Sequence, residues 1–152
     1  MAQKSLLNKD VQQECLERIN KLTADSKPEW GKMDAAQMLA HCAEVTEVMN
    51  GSKPLEGTPF IAKLFKGAIR KAVFDDKTYK KNAQTHPQYK IVDARDFETE
   101  KERLIKAMSR LANSTEQERR QINHPLFGPM TDQEIGWSIY KHTDFHLTQF
   151  GV

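Results

Sequence analysis

Apolar residues return every three to four positions in four separate stretches of this chain. That period places them on one face of an α-helix. A helix with one apolar face must bury it against another element, so the pattern confines the chain to helices packed on helices. Leu7, Val11, Cys15, Ile19 and Leu22 make the first stripe and predict a helix from Ser5 to Thr23. Lys27-Pro28-Glu29-Trp30-Gly31 interrupts it. Pro28 disfavours helical geometry at Lys27, and Gly31 is a turn signal.

Capping chemistry sets where two later helices begin. In Asp34-Ala35-Ala36-Gln37 the Asp34 carboxylate and the Gln37 side chain can each satisfy a free backbone donor, the capping-box arrangement. Met38, Leu39, Cys42, Val45 and Met49 follow as a buried stripe that also carries His41, and Asn50-Gly51 suits the helix end. Thr131-Asp132-Gln133-Glu134 is a second capping box. It opens a last helix with Ile135, Ser138, Ile139, His142, His146 and Phe150 on one face. A third long helix spans about Asp96 to Ala112, with Phe97, Leu104, Ile105, Met108 and Leu111 inward.

A long connection, from Ser52 to about Ala94, separates the second and third long helices. Within it Ile61, Leu64, Phe65, Ala68, Ile69 and Ala72 keep helical spacing, which predicts one short amphipathic helix over Phe60 to Phe74. Thr85-His86-Pro87-Gln88-Tyr89 and His124-Pro125-Leu126-Phe127-Gly128-Pro129 read as loops. No stretch reads as a half-buried sheet. The expected fold is therefore all-α: one domain over 1–152, a four-helix bundle with a short helix in the long link between helices 2 and 3.

Charge and cysteine usage narrow the function. The net charge of the 152 residues is only +2, without the pronounced basic excess expected of a nucleic-acid partner. Cys15 and Cys42 are two scattered thiols, not a disulfide framework. No amino-terminal stretch has the apolar core of ~7–15 residues of a secretory signal. No apolar run approaches the ~18 residues of a membrane span. These features predict a cytoplasmic protein with neither nucleic acid nor membrane as partner. A small-molecule substrate is expected instead from the histidines.

The chemistry-bearing residues are histidines. His142-Thr143-Asp144-Phe145-His146 puts two imidazoles one helical turn apart, with Cβ atoms roughly 5–6 Å from each other. His41 comes from the apolar stripe of another helix. A buried imidazole without a partner costs about 1–3 kcal/mol, and a divalent ion shared by His41, His142 and His146 would remove that cost three times over. Three protein nitrogens leave a coordination position open, as in catalytic rather than structural sites. Such a position can activate water or hold a substrate thiolate. Imidazole ligands suit zinc, nickel, iron or copper. Cys42 diverges from His41 by about 100° around the helix, so it reads as core. Ser138 reads as packed, His86 and His124 as solvated loop residues, with His124 leading toward the mouth of the site. Glu44 and Asp144 have no clear orientation toward an ion.

These residues also carry a family resemblance. Trp30, Gln37-Met38-Leu39-Ala40-His41-Cys42, Val92-Asp93-Ala94-Arg95-Asp96-Phe97, the His124–Pro129 block and above all Tyr140-Lys141-His142-Thr143-Asp144-Phe145-His146-Leu147-Thr148-Gln149-Phe150-Gly151 resemble the DinB/YfiT-like superfamily of metal-dependent enzymes. The resemblance implies a DinB-like four-helix bundle and a divalent ion on His41, His142 and His146. It also implies a homodimer and, in some relatives, transfer or isomerisation with a low-molecular-weight thiol cosubstrate. Fold likeness alone does not carry a substrate, so thiol transferase and hydrolase both stand as readings.

A different class of function rests on segment 58–92. It holds eight Lys or Arg against Asp75 and Asp76, a local charge of +6, with Phe60, Phe65, Phe74, Tyr79 and Tyr89 interleaved. A basic amphipathic segment of this kind can act as a non-catalytic binding or membrane-surface module. The plainer expectation is a cover helix, its apolar face on the bundle and its lysines in water.

Overall fold

A computed structural model describes residues 3–152. Among these the chain is mostly helical. In order come α1 (Lys9–Asn20), α2 (Ala35–Met49), α3 (Phe60–Leu64), α4 (Lys66–Phe74), α5 (Phe97–Ala112), α6 (Glu116–Arg120) and α7 (Asp132–Gln149). A 3-10 turn lies at Pro87–Tyr89. Two-residue strands β1 (Asn123–His124) and β2 (Gly128–Pro129) pair antiparallel, with His124 opposite Gly128. No helix among the described residues is long and apolar enough to cross a membrane.

The helix starts follow their caps. Asp34 accepts from Gln37 N while the Gln37 side chain accepts from Asp34 N, and Thr131 and Glu134 do the same at α7. Asp96 caps α5 through Thr99 N. Helix α2 lies against both α5 and α7, and α1 lies against the same two. Met38, Leu39, Leu104, Leu111, Ile135, Ile139 and Leu147 fill the space between them. Their burial is the main stabilising term of the fold, at about 1.5–3 kcal/mol for each large aliphatic side chain.

Four expectations need correction. Helix α1 starts at Lys9, because Ser5 and Leu6 run against α7 instead of continuing the helix: Leu6 N donates to Gly136 O at 3.0 Å. Helix α2 is buried on nearly every side, Glu44 and Thr46 included, because the connection after it folds back over its outer face. The predicted helix over 60–74 is two, broken at Phe65 (φ −101°, ψ 18°). Helix α4 is tied down by Arg70, which pairs with Glu134 and donates to Phe127 O, and by Phe74 packed on Phe127. Helix α3 is not a cover helix at all, since Phe60, Ile61, Leu64 and Phe65 stand largely in solvent.

The fourth correction lies between α5 and α7. Thr115 and Glu118 form a capping box that starts α6, and the loop after it closes into the β1–β2 ribbon. Each element is too short to show a periodic stripe, although the Thr-x-x-Glu signal was present in the sequence.

The α7–amino-terminal contact makes one position decisive. A Cβ on Gly136 would lie 1.9 Å from Ser5 Oγ and 3.3 Å from Leu6 N. Gly136→Ala should therefore destabilise the protein by about 1–3 kcal/mol, read from chemical denaturation. Gly67, with nothing near its Cβ direction, is the control: Gly67→Ala should leave stability equal or higher.

Candidate metal centre

Helix α2 presents His41, and α7 presents His142 and His146. The three rings form a nearly equilateral triangle, with centroids 4.8 Å apart for His41–His142 and 4.7 Å for each of the other two pairs. One nitrogen from each lies within 4.8 Å of the others. His41 and His146 are buried, and His142 is the least covered of the three. The three residues singled out from sequence thus come together, close enough to hold one metal ion.

Hydrogen bonds on the outer side of two rings set their inner side. His41 Nδ1 is 2.7 Å from Tyr89 O. A carbonyl oxygen only accepts, so Nδ1 carries the hydrogen and Nε2 keeps its lone pair. That lone pair faces His142 Nε2 at 2.9 Å. His146 Nδ1 is 2.7 Å from Gln149 Oε1, and the Gln149 amide nitrogen donates to Trp30 O at 2.7 Å. Gln149 Oε1 must then accept, and His146 Nε2 is likewise free. Partners of this kind hold the tautomer and ring orientation of metal-binding histidines.

Electrostatics keep the cluster neutral. Burial pushes His41 down despite the Tyr89 bond. Burial, then His146 and His41, pushes His142 well below the usual histidine range. Burial and His41 bring His146 to about 3, against the opposing Gln149 bond. Three unprotonated imidazoles at neutral pH are the form a cation binds. Tetrahedral zinc with bonds near 2.0–2.1 Å sets neighbouring nitrogens about 3.4 Å apart. His142 Nε2–H donates to His41 Nε2, so an ion would be received with His142 in its other tautomer, the 2.9 Å pair opening by roughly half an ångström and any wider pair, up to 4.8 Å, closing. The donor set fits a divalent ion.

The supporting shell reaches across the molecule. Tyr89 O is held over His41 by its neighbour Gln88, whose amide donates to Glu44 Oε1 and Pro54 O at 3.0 Å each. Burial alone would raise the Glu44 carboxyl, but Lys53, Arg103 and Gln88 hold it below the usual range. Arg103, from α5, also reaches Glu47 and Glu100. On the other side, Gly31 (φ +87°) lets the Trp30 turn approach Gln149, where a Cβ would sit 2.6 Å from its amide nitrogen. Phe145 packs beside His146, Tyr79 beside both His142 and Phe145, and Trp30 against Phe145. Burial raises the Tyr79 and Tyr89 hydroxyls.

Other residues weighed in the sequence lie elsewhere. Cys42 is core, its Sγ 3.7 Å from Met38 Sδ. Ser138 packs and donates to Ile135 O. Glu44 is committed to its ion pairs, and Asp144 bonds Arg18 at 2.6 Å. His86 and His124 are not the solvated histidines expected. His86 contacts Thr58 Oγ1 and accepts from Gln88 N. His124 is buried, stacked on Phe127 at 4.2 Å, and burial brings it to about 4. Sequence reasoning missed Gln149, although it lies three residues after His146 and so on its face. Tyr89 offers only a backbone oxygen, which no side-chain pattern marks.

A family model described as "Protein of unknown function (DUF1569)" matches residues 1–151. No curated protein and no solved structure matches the chain.

The depressed histidines make a pH prediction. Each is neutral when folded and takes a proton near pH 6.5 when unfolded. Their contribution is whole above about pH 6.5 and declines as the unfolded state gains protons, down to about pH 3 for His146. Urea midpoints of metal-free protein should fall between about pH 7 and 5, before most carboxylates titrate. A His146→Leu variant should lose less over that window.

Proposed function

We propose that this chain, which belongs to the DUF1569 family, is a divalent-metal-dependent enzyme whose ion is held by His41, His142 and His146. The observation that carries this reading is the pair of inward lone pairs, on His41 Nε2 and His146 Nε2, fixed by hydrogen bonds to Tyr89 O and Gln149 Oε1. A polar arrangement this fully oriented around a neutral centre is what a cation requires. The resemblance to the DinB/YfiT-like superfamily supports the same ligand set. The pairwise packing of α1, α2, α5 and α7 supports its four-helix bundle.

When bound, zinc, nickel or iron supplies a Lewis-acid centre that acidifies a ligand and polarises an electrophile. The chain's own residues do the rest. His41 and His146 are rigidly aimed, while partly exposed His142 lies toward the side from which a small-molecule substrate arrives. Tyr79, Phe145 and Trp30 form an aromatic wall that limits water. The nearby carboxylates Glu44 and Asp144 are both occupied by cations, which leaves neither as a general base. Metal-dependent hydrolases commonly pair their histidines with a glutamate base. A thiol, with a free pKa of about 8.5, needs far less help than water to lose its proton. This favours transfer of a low-molecular-weight thiol cosubstrate over hydrolysis. A cytoplasmic homodimer completes the reading.

Protein purified without an affinity tag should contain close to one divalent ion per chain. His142→Ala should lose it, and unchanged stoichiometry would overturn the assignment. Gln149→Ala should weaken metal affinity by roughly 10–100-fold while leaving the ligands in place, measured by competition with a chelator. The metal-loaded protein, screened with small thiols and electrophilic acceptors, should form thioether conjugates. Ester or amide cleavage without added thiol would shift the reading to a hydrolase.

A further inference from the structure

Helix α3 leaves its apolar side without a partner. Phe60 is 75% exposed, Ile61 64%, Leu64 65% and Phe65 59%. At about 100° per residue these four fall within roughly 140° of the helix, and Lys63 lies about 60° beyond the Phe60 edge. Lys66 and Lys71 follow on α4, both exposed. None of these three lysines forms an ion pair among the described residues. A contiguous exposed apolar patch on a soluble chain marks an interaction site.

We propose that α3 and the start of α4 dock on an anionic lipid surface. The apolar residues would enter the headgroup boundary and Lys63, Lys66 and Lys71 would meet the phosphates. Charge selects this occupant. Residues 60–74 hold Lys63, Lys66, Arg70 and Lys71 and no acidic residue, within a chain of net charge +2. Arg70 is paired with Glu134, which leaves three lysines beside the protruding apolar residues. A second copy of the chain is disfavoured by the same fact. An isologous contact sets a patch against itself and would oppose lysine to lysine. Lipid is complementary on both counts, apolar beneath and negative above. The rest of the fold leaves α3 free to do this. Arg70 and Phe74 hold α4 on the body of the protein through Glu134 and Phe127, so α3 projects from a fixed base. The proposal is independent of the metal reading and places the protein at a membrane surface without a span.

Co-sedimentation of the full chain with vesicles tests it. Retention is expected on phosphatidylcholine vesicles containing phosphatidylserine at low salt, declining as salt rises, and not on phosphatidylcholine alone. Phe60→Ser with Leu64→Ser should weaken binding at least roughly tenfold. Lys63→Gln and Lys66→Gln should each cost roughly fivefold. All four positions are exposed, so thermal unfolding and metal content should match the unaltered protein, which separates this test from that of the metal centre. Absence of retention on anionic vesicles at low salt would overturn the proposal. So would binding indifferent to the Phe60 and Leu64 changes, which would mean attraction by lysines alone. A dimer that those two changes dissolve, with no vesicle binding, would assign the face to a second copy.

Discussion

Two of the three inward-facing imidazole nitrogens depend on a hydrogen bond made on the opposite edge of the ring. Without Tyr89 O and Gln149 Oε1, His41 and His146 could rotate or change tautomer, and their lone pairs would no longer converge. Much of the surrounding architecture serves those two oxygens. Tyr89 sits where it does because Gln88 binds Glu44, and Glu44 is neutralised by Arg103 from a different helix. Gln149 faces His146 because Trp30 O takes its amide hydrogen and Gly31 leaves room for it.

This dependence explains two charges in the core. Glu44 and Glu100 are buried carboxylates. Burial penalises the Glu44 charge, and Lys53, Arg103 and Gln88 outweigh that penalty and hold its carboxyl below the usual range. An apolar residue at Glu44 could pack as well. It would release Gln88 and with it the turn that carries Tyr89. The network commits buried charge to the orientation of the Tyr89 turn.

The connection between α2 and α5 has two characters. Its later part folds over α2 and completes the histidine cluster, with Tyr79 beside His142 and Tyr89 beside His41. Helix α3, ahead of it, stands apart, with apolar residues in solvent. One continuous amphipathic pattern covers α3 and α4, so periodicity could not separate the half that packs from the half that does not. The break at Phe65 is where the two diverge.

Helix positions were legible because their causes are local. Apolar period and capping residues act within a few positions, and Asp34, Asp96 and Thr131 cap the helices they were expected to start. The His142–His146 step was legible for the same reason, since one turn of helix sets that spacing whatever surrounds it. Its meeting with His41 was an inference from shared apolar faces, and the packing of α2 on α7 realises it. Other features had no local cause. The exposure of α3, the amino-terminal stretch against Gly136, the Tyr89 oxygen on His41 and the Trp30 oxygen that turns Gln149 toward His146 all depend on segments far apart in the chain. The sequence by itself determined which residues could be ligands and which helices carry them; only the tertiary structure decided which nitrogen of His41 points inward, because Tyr89 O, 48 residues away, makes that choice, and it fixed His146 by having Trp30 O turn the Gln149 amide.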